Sequence, residues 1–370
     1  LKAIAHFVPH VGKVASGYGY AVPRLCRELA DAHYNVQLIS IKKRVMNYGT
    51  SSEIIYDDLC ISNIGNRIYE IAKVVDVLHS HSLWRSTNIL PAWASKRLHK
   101  PHVISPRGTL NPAAMRHSRI RKKVFSVLVQ ERTLRQASML HATSVGEYSD
   151  IRKAGLEQPV AIIPNGVDVP ELFHNKMGRD NRRLLYVGRI HPIKGLELVL
   201  DCWTQLTGSY PDWVFRIVGP LDSNYAVKLK ERYLLNRVPR VEFVGERSGQ
   251  ALIKEYQDAD ALVLPSLSEN FGMVVAESLS NATPVLTTKG TPWEGLCKNK
   301  CGWWVDRDGE DLCVALQQIL SAERDVLRRM GLQGRQWMIE EFSWRQVAKN
   351  MLSAYLWLLE KGERPTFVHD

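Results

Sequence analysis

What this chain lacks narrows it first. Its 370 residues contain no run of eighteen apolar residues, so no membrane-spanning helix is expected. The six cysteines, Cys26, Cys60, Cys202, Cys297, Cys301 and Cys313, form no C-x-x-C, and no histidine cluster accompanies Cys297 and Cys301. Reduced core thiols are expected, not disulfides or zinc. No G-x-G-x-x-G follows the first strand-like segment, which argues against a dinucleotide-binding dehydrogenase. Repeats and low-complexity tracts are missing too. The chain opens on strand-like Ala3–Val8 without a signal-peptide layout, so a cytoplasmic protein is expected.

What is there is charge of uneven sign. Residues 1–165 hold 23 Lys/Arg against 11 Asp/Glu, whereas the remainder holds 26 against 27. Within 96–135, eleven basic residues face a single acid, Glu131. A basic first half attracts phosphate, on nucleic acid, lipid headgroups or a lipid-diphosphate acceptor. Nucleic acid is not expected, because basic residues are not interleaved with strand aromatics. Ile120, Val124, Val127 and Leu128 share one helical face amid Arg119, Arg121, Lys122 and Lys123. That pattern fits first a surface helix packed on its own sheet, a reading compatible with peripheral contact with an anionic membrane.

Strand and helix patterns alternate throughout. Strands are expected at Ala3–Val8, Val36–Ile41, Val74–His79, His102–Ser105 and Met139–Ala142, with a helix over Ala21–Ala30. The pattern restarts at Arg183–Val187 and continues at Val214–Val218, Val241–Val244, Ala261–Leu264 and Pro284–Thr287. Such alternation predicts an α/β chain of two doubly wound domains. The boundaries are 1–166, 167–342, and a terminal helix with tail over 343–370 that packs back toward the first domain. Ser343 is the expected N-cap, and the tail from Gly362 reads as disordered.

Three segments carry chemistry. In Ser266–Ser278, Glu269 lies in the loop after a strand and Glu277 on the following helix. In an open α/β sheet that edge binds ligands, and two carboxylates suit sugar hydroxyls. Two surface glutamates would give the same spacing. In Val187-Gly188-Arg189-Ile-His-Pro-Ile-Lys194-Gly195, two cations stand at a strand's end. They could clamp a diphosphate, or simply be solvated. Val14-Ala-Ser-Gly17-Tyr-Gly19 is glycine-rich enough for close backbone approach to a phosphate or acceptor.

Taken in order, these motifs resemble the retaining glycosyltransferases of family 4, which have the GT-B fold. Ile163-Pro-Asn-Gly-Val-Asp168 is similar to the family's inter-domain strand end, and Val241–Gly245 to the strand and loop that line the base. Thr291-Pro-Trp-Glu-Gly295 and Gly302-Trp-Trp-Val305 resemble a branch that builds bacterial surface polysaccharide of the lipopolysaccharide or O-antigen type. The resemblance implies two Rossmann-like domains facing across a cleft, the first for acceptor and the second for nucleotide sugar. It implies that Arg189 and Lys194 hold a nucleotide diphosphate, with Gly188 beside them. Glu277 would bind ribose. Glu269 would meet the donor sugar, with the amides of Asn270, Phe271 and Gly272. Acceptor residues would be Gly17, Gly19, His81, Arg107 and Gly108. No metal or other cofactor is implied, since the cations supply the charge; Asp258-Ala-Asp260 reads as a helix end and Asp306-Arg-Asp308 as loop. UDP is favoured over GDP, and the enzyme is expected at the inner membrane face. Arg107 stands where many relatives carry histidine. A nucleotide-sugar epimerase or phosphorylase of the same fold would need cleft acids and histidines, or a phosphate site, which are not evident.

Overall fold

The structure, a computed structural model, describes residues 1, 3–11, 17–40, 54–58, 63–111, 129–172, 181–235 and 238–370; for 18, 54–58 and 234–235 only the backbone is described. The basic segment 116–128 and Val14–Ser16 of the glycine-rich loop therefore lie outside the described residues. The chain forms two compact units, Leu1–Gly166 with Trp344–Asp370, and Val167–Ser343.

The first unit is built on eight strands: β1 (Ala3–Val8), β2 (Asn35–Ser40), β3 (Ile54–Asp58), β4 (Val77–His81), β5 (His102–Ser105), β6 (Met139–Ala142), β7 (Val160–Ile162) and, near the C-terminus, β14 (Val368–His369). Their order is β14-β7-β6-β5-β4-β1-β2-β3, parallel except for β14. Every side chain of β1, β4, β5 and β6 is buried. Burial at every position fits strands covered on both faces, and it takes in histidines and serines of β4, β5 and β6 as well as apolar residues. The helix Trp344–Leu358 belongs to this unit. Its Val347, Ala348, Met351, Ala354 and Tyr355 recur with helical period and share a core with Val22, Leu25 and Leu29 of the helix Gly17–Asp31.

Three expectations fail here. Val74 ends the helix Ile64–Val74, whose Ile68, Ile71 and Ala72 are buried, so the strand expected at Val74–His79 begins at Val77. Asp76 separates the two by accepting from the Ala3 amide at 3.1 Å. His79 and His81 thus lie within β4. Gly17 and Gly19 stand in the first turn of the helix Gly17–Asp31 rather than in a loop. The tail is ordered: Val368 pairs with Ala161 and His369 with Val160, and Arg364 binds Asp370 at 2.7 Å. The open edge of β7 and the apolar Phe367-Val368 pair give it somewhere to go.

The second unit holds β8 (Arg182–Val187), β9 (Trp213–Val218), β10 (Val241–Gly245), β11 (Ala261–Leu264), β12 (Val285–Thr288) and β13 (Gly302–Val305). All are parallel, in the order β10-β9-β8-β11-β12-β13. This is the 3-2-1-4-5-6 arrangement, whose switch point falls between β8 and β11.

The cysteine expectation also fails. Cys202, on the helix Leu196–Leu206, and Cys313, on the helix Gly309–Ser321, form a disulfide across 111 residues. The two helices pack together, a proximity that spacing along the chain cannot reveal. Closing so long a loop stabilises by about 2–4 kcal/mol. Cys26, Cys297 and Cys301 are free, and Cys60 is outside the described residues.

Candidate active site

In the second unit, the loops after β8 and β11 meet at the switch point. His191 accepts from the Ile193 amide and opens a single 3-10 turn, Pro192–Lys194. Gly195 then enters the next helix with φ 69°. A Cβ there would lie 2.3 Å from the Pro265 carbonyl oxygen. Only glycine permits both the left-handed turn and this approach. The approach locks the loops together: the Leu267 amide donates to the Ile193 carbonyl at 2.7 Å.

That contact joins Lys194 to Glu269. The Lys194 ammonium forms an ion pair with Glu269 Oε1, which also accepts from the Ser266 hydroxyl at 2.6 Å. Side-chain exposures of 17% and 13% make this a partly desolvated pair, held more tightly than a surface bridge. Arg189 is exposed, and its guanidinium has no partner among the described residues; Tyr186 holds its backbone by donating to the Arg189 carbonyl at 2.9 Å.

Gly272 (φ 81°) starts the helix Met273–Ser280. Behind it stands an aromatic floor. The Trp293 ring lies 5.2 Å from Phe271, 5.7 Å from Trp337 and 5.3 Å from Phe342, and its indole N–H donates to the Phe271 carbonyl at 2.5 Å. The Phe271 side chain is thereby committed to packing, which leaves its backbone for a ligand. Glu277 Oε2 accepts from Tyr256 at 2.7 Å. Burial, with a smaller contribution from Asp168, raises its carboxyl above the ordinary range against the lowering effect of the Tyr256 bond.

A raised carboxyl pKa means that the folded state binds the proton more tightly than the unfolded chain. Stability therefore falls as pH rises from the ordinary carboxylate value through the raised one. Glu277→Gln keeps the acceptor for Tyr256 but removes the charge. It should raise the melting temperature at about pH 7 and leave it nearly unchanged at about pH 4. Equal shifts at both pH values would disprove a desolvated charge.

The D-x-D spacings have structural roles. Asp258 ends a helix and pairs with Arg183 and Lys254, each at 3.0 Å; Asp260 accepts from the Arg183 amide at 2.8 Å. Asp306 pairs with Lys289, and Asp308 caps the helix Gly309–Ser321.

In the first unit, the β1–β4 switch point is lined with imidazoles. His6 is in register with His79, and His81 with Ser105. His141 on β6 completes the group, and all four histidines are buried. The His141 Nε2–H donates to the Ile163 carbonyl at 2.8 Å, so its Nδ1 accepts from Ser105 at 2.7 Å. Ser105 then accepts from His79 Nε2 at 2.7 Å, and His79 Nδ1 accepts from Tyr355 at 2.5 Å. A second chain starts at Arg107, which donates to His81 Nδ1 at 3.3 Å; His81 Nε2 then donates to His6 Nδ1 at 3.0 Å. Burial first, and Arg107 second, push His6 and His141 down to about 3. Burial likewise lowers His79 and His81, so all four are neutral at physiological pH.

Arg107 (φ 57°) and Gly108 (φ 75°) are successive left-handed residues after β5. Glu147 holds this bend: its carboxylate accepts from the Gly108 amide at 2.6 Å and from both donors of Thr143 at 2.8 Å. Glu147, His6 and His141 are functional candidates that sequence reasoning missed. Ser144-Val-Gly-Glu147 has the S-x-x-E sequence of a capping box, a signal that could have marked Glu147, although its carboxylate goes instead to Thr143 and Gly108. The histidines sit far apart in sequence and carry no such mark. His6, His79 and His81 also stand close enough to share a metal ion. All but one of their nitrogens are, however, already hydrogen-bonded: those of His79 to Tyr355 and Ser105, those of His81 to Arg107 and His6, and Nδ1 of His6 to His81. Gly17 is exposed, with open space where a Cβ would be.

Two α/β units on parallel sheets, each with polar side chains gathered at its switch point, are the architecture of the GT-B glycosyltransferases. The chain belongs to the group 1, family-4 type: residues 171–337 match the model "Glycosyl transferases group 1" and residues 69–166 the model "Glycosyl transferase 4-like domain". It is 25% identical over 310 residues to the D-inositol 3-phosphate glycosyltransferase of Corynebacterium urealyticum, covering 76% of this chain and 71% of that one. It is 22% identical to an uncharacterized glycosyltransferase of Methanocaldococcus jannaschii, covering 94% and 95%. Among solved structures, Anabaena HepE with UDP and glucose aligns with a TM-score of 0.75 at 15% identity (96% and 99% covered). WaaG, a glycosyltransferase of lipopolysaccharide biosynthesis, aligns at 0.70 and 16% (96% and 99%). Among the described residues, no helix is long and apolar enough to cross a membrane.

Proposed function

We propose that this enzyme transfers a hexosyl unit from a nucleotide-diphosphate sugar, UDP before GDP, to a saccharide or lipid-linked acceptor with retention of configuration, in building a surface polysaccharide. The observation that carries this reading is the Lys194–Glu269 pair at the β8–β11 switch point, with Arg189 free beside it and Glu277 on the next helix. Arg189 and Lys194 neutralise the diphosphate as it leaves, which removes the need for a bound metal ion. Glu269 aims Lys194 and accepts from the donor sugar's hydroxyls. Glu277, through its second oxygen, accepts from the ribose. The helix N-terminus behind Gly272 faces negative charge favourably.

In the transfer, the bond from the anomeric carbon to the diphosphate oxygen breaks, and the acceptor oxygen bonds to that carbon from the same face. The acceptor's proton passes to the departing phosphate. No protein nucleophile or imidazole base is used. The UDP and glucose in HepE favour UDP, and the lipopolysaccharide role of WaaG favours a surface polymer. The basic stretch 96–135 supports peripheral contact with an anionic membrane. Its described part includes Arg97, stacked on the half-exposed Trp93 at 5.8 Å.

Calorimetry with UDP and GDP, without added divalent cation, tests the donor assignment. Glu277→Ala should weaken binding of the preferred nucleotide about tenfold or more, by loss of charge-assisted hydrogen bonds. Unchanged affinity would remove Glu277 from the ribose. The anomeric proton of the product, read by NMR, decides retention.

A further inference from the structure

We propose that Arg107 is the binding site for an oxyanion, a carboxylate or a phosphate, carried by the acceptor. The word acceptor rests on the transferase reading above; the anion site does not.

The geometry leaves this guanidinium incomplete. One Nη donates to Asn165 at 2.5 Å and the other to His81 at 3.3 Å, while the Nε–H is buried without a partner. Among the described residues, no carboxylate lies within ion-pair distance of it. The nearby Glu147 carboxylate is spent on Gly108 and Thr143. Arg107 remains cationic, although burial lowers it to about 10. Glu147 offsets part of this charge through space, but among the described residues no carboxylate contacts the guanidinium. A partly desolvated cation with a buried, unmade N–H bond is costly, and a ligand oxyanion completes it.

The surrounding relay points the same way. Read from Arg107, each group donates onward: guanidinium to His81, His81 to His6. The chain ends on His6 Nε2–H, which is buried and has no acceptor. The cluster thus has two surplus N–H donors, at Arg107 and His6. What it lacks is acceptors, and an oxyanion supplies them. A metal ion would need those imidazole lone pairs free and would sit beside a fixed positive charge. The closeness of His6, His79 and His81 therefore serves to orient Arg107. His81 is a positioning residue: its unprotonated Nδ1 and Asn165 set the plane of the guanidinium fork, the geometry that reads carboxylate and phosphate bidentately.

The test observes the Arg107 Nε–H directly by 15N-resolved NMR on the full chain. The resonance is assigned by its loss in Arg107→Lys and by its displacement in Asn165→Ala. Glucuronate, glycerol 3-phosphate and glucose are titrated separately, with UDP added in a parallel series. Saturable displacement by glucuronate alone assigns a uronic acid, and by glycerol 3-phosphate alone a phosphate; glucose should do nothing. Displacement by glucose equal to that by the anions, or by none of the three, overturns the proposal. The melting temperature gives a second reading. Arg107→Gln should leave it unchanged or raise it, since a partly desolvated charge with no contacting carboxylate among the described residues is removed, and should abolish stabilisation by the effective anion. A lowered melting temperature with anion stabilisation intact would make Arg107 structural only. If Glu277→Ala fails to affect nucleotide binding while the anion response stands, the donor assignment falls and the anion site survives.

Discussion

Lys194→Ala lowers kcat by about 10²- to 10³-fold, while KM for the acceptor changes little. Lys194 stands on a 3-10 turn that glycine alone can lead into the next helix, with its ammonium on Glu269. Its charge is fixed before the donor arrives, so stabilising the leaving diphosphate requires little reorganisation. Removing it also strands the partly buried Glu269 carboxylate, 13% exposed, beside the phosphates. Repulsion then adds to the lost attraction. Lys194→Arg keeps the charge but puts a wider head against Glu269, and it should recover only part of the rate. Steady-state kinetics with donor and acceptor varied separately check this. A change confined to acceptor KM would remove Lys194 from the leaving group.

Trp293→Ala destabilises the second unit by about 3–5 kcal/mol, seen as a lower urea midpoint with an unchanged slope. Trp293 is 2% exposed and packs against Phe271, Trp337 and Phe342. Truncation leaves a cavity among three rings and takes the indole N–H from the Phe271 carbonyl. That carbonyl lies beside Gly272, where the helix carrying Glu277 begins. Nucleotide affinity should therefore fall at temperatures well below unfolding. Trp303→Ala is the control. Trp303 is only partly buried, and its N–H bonds to Gln318 near the surface at 2.9 Å, so its loss should cost less. Equal losses for the two variants would refute the special place of Trp293.

Much of the proposed donor site was legible as a cluster at a sheet edge because it is local. Arg189 and Lys194 lie within one loop, and Glu269 and Glu277 within one loop and helix. Strand ends and glycines placed both segments at a sheet edge. The ion pair joining Lys194 to Glu269 was not legible, because 75 residues separate them and only the β8–β11 neighbourhood brings them together. The first unit was harder to read. The resemblance named His81 and Arg107, but not their partners: His6 and His141 come from two other parallel strands, and each looks like an ordinary polar residue in its own segment. The disulfide between Cys202 and Cys313 was misread for the same reason. Cysteine spacing reports local metal and redox motifs, whereas this bond depends on which helices stack. The tail was misread because its apolar pair is short, and pairing needs the open edge of β7.

The sequence by itself determined two α/β units, the strand-end position of the loop carrying Arg189 and Lys194, and the glutamates at the second sheet's edge. Each of these follows from hydrophobic period and turn chemistry within about twenty residues. The tertiary structure alone decided which charges face each other. It set Lys194 on Glu269, used Glu147 to hold a backbone bend, and left Arg107 among neutral imidazoles with no carboxylate in contact among the described residues. Electrostatic interactions act through space and depend on burial. The meaning of a charged residue is therefore settled only once parallel strands, far apart in the chain, have brought their ends together.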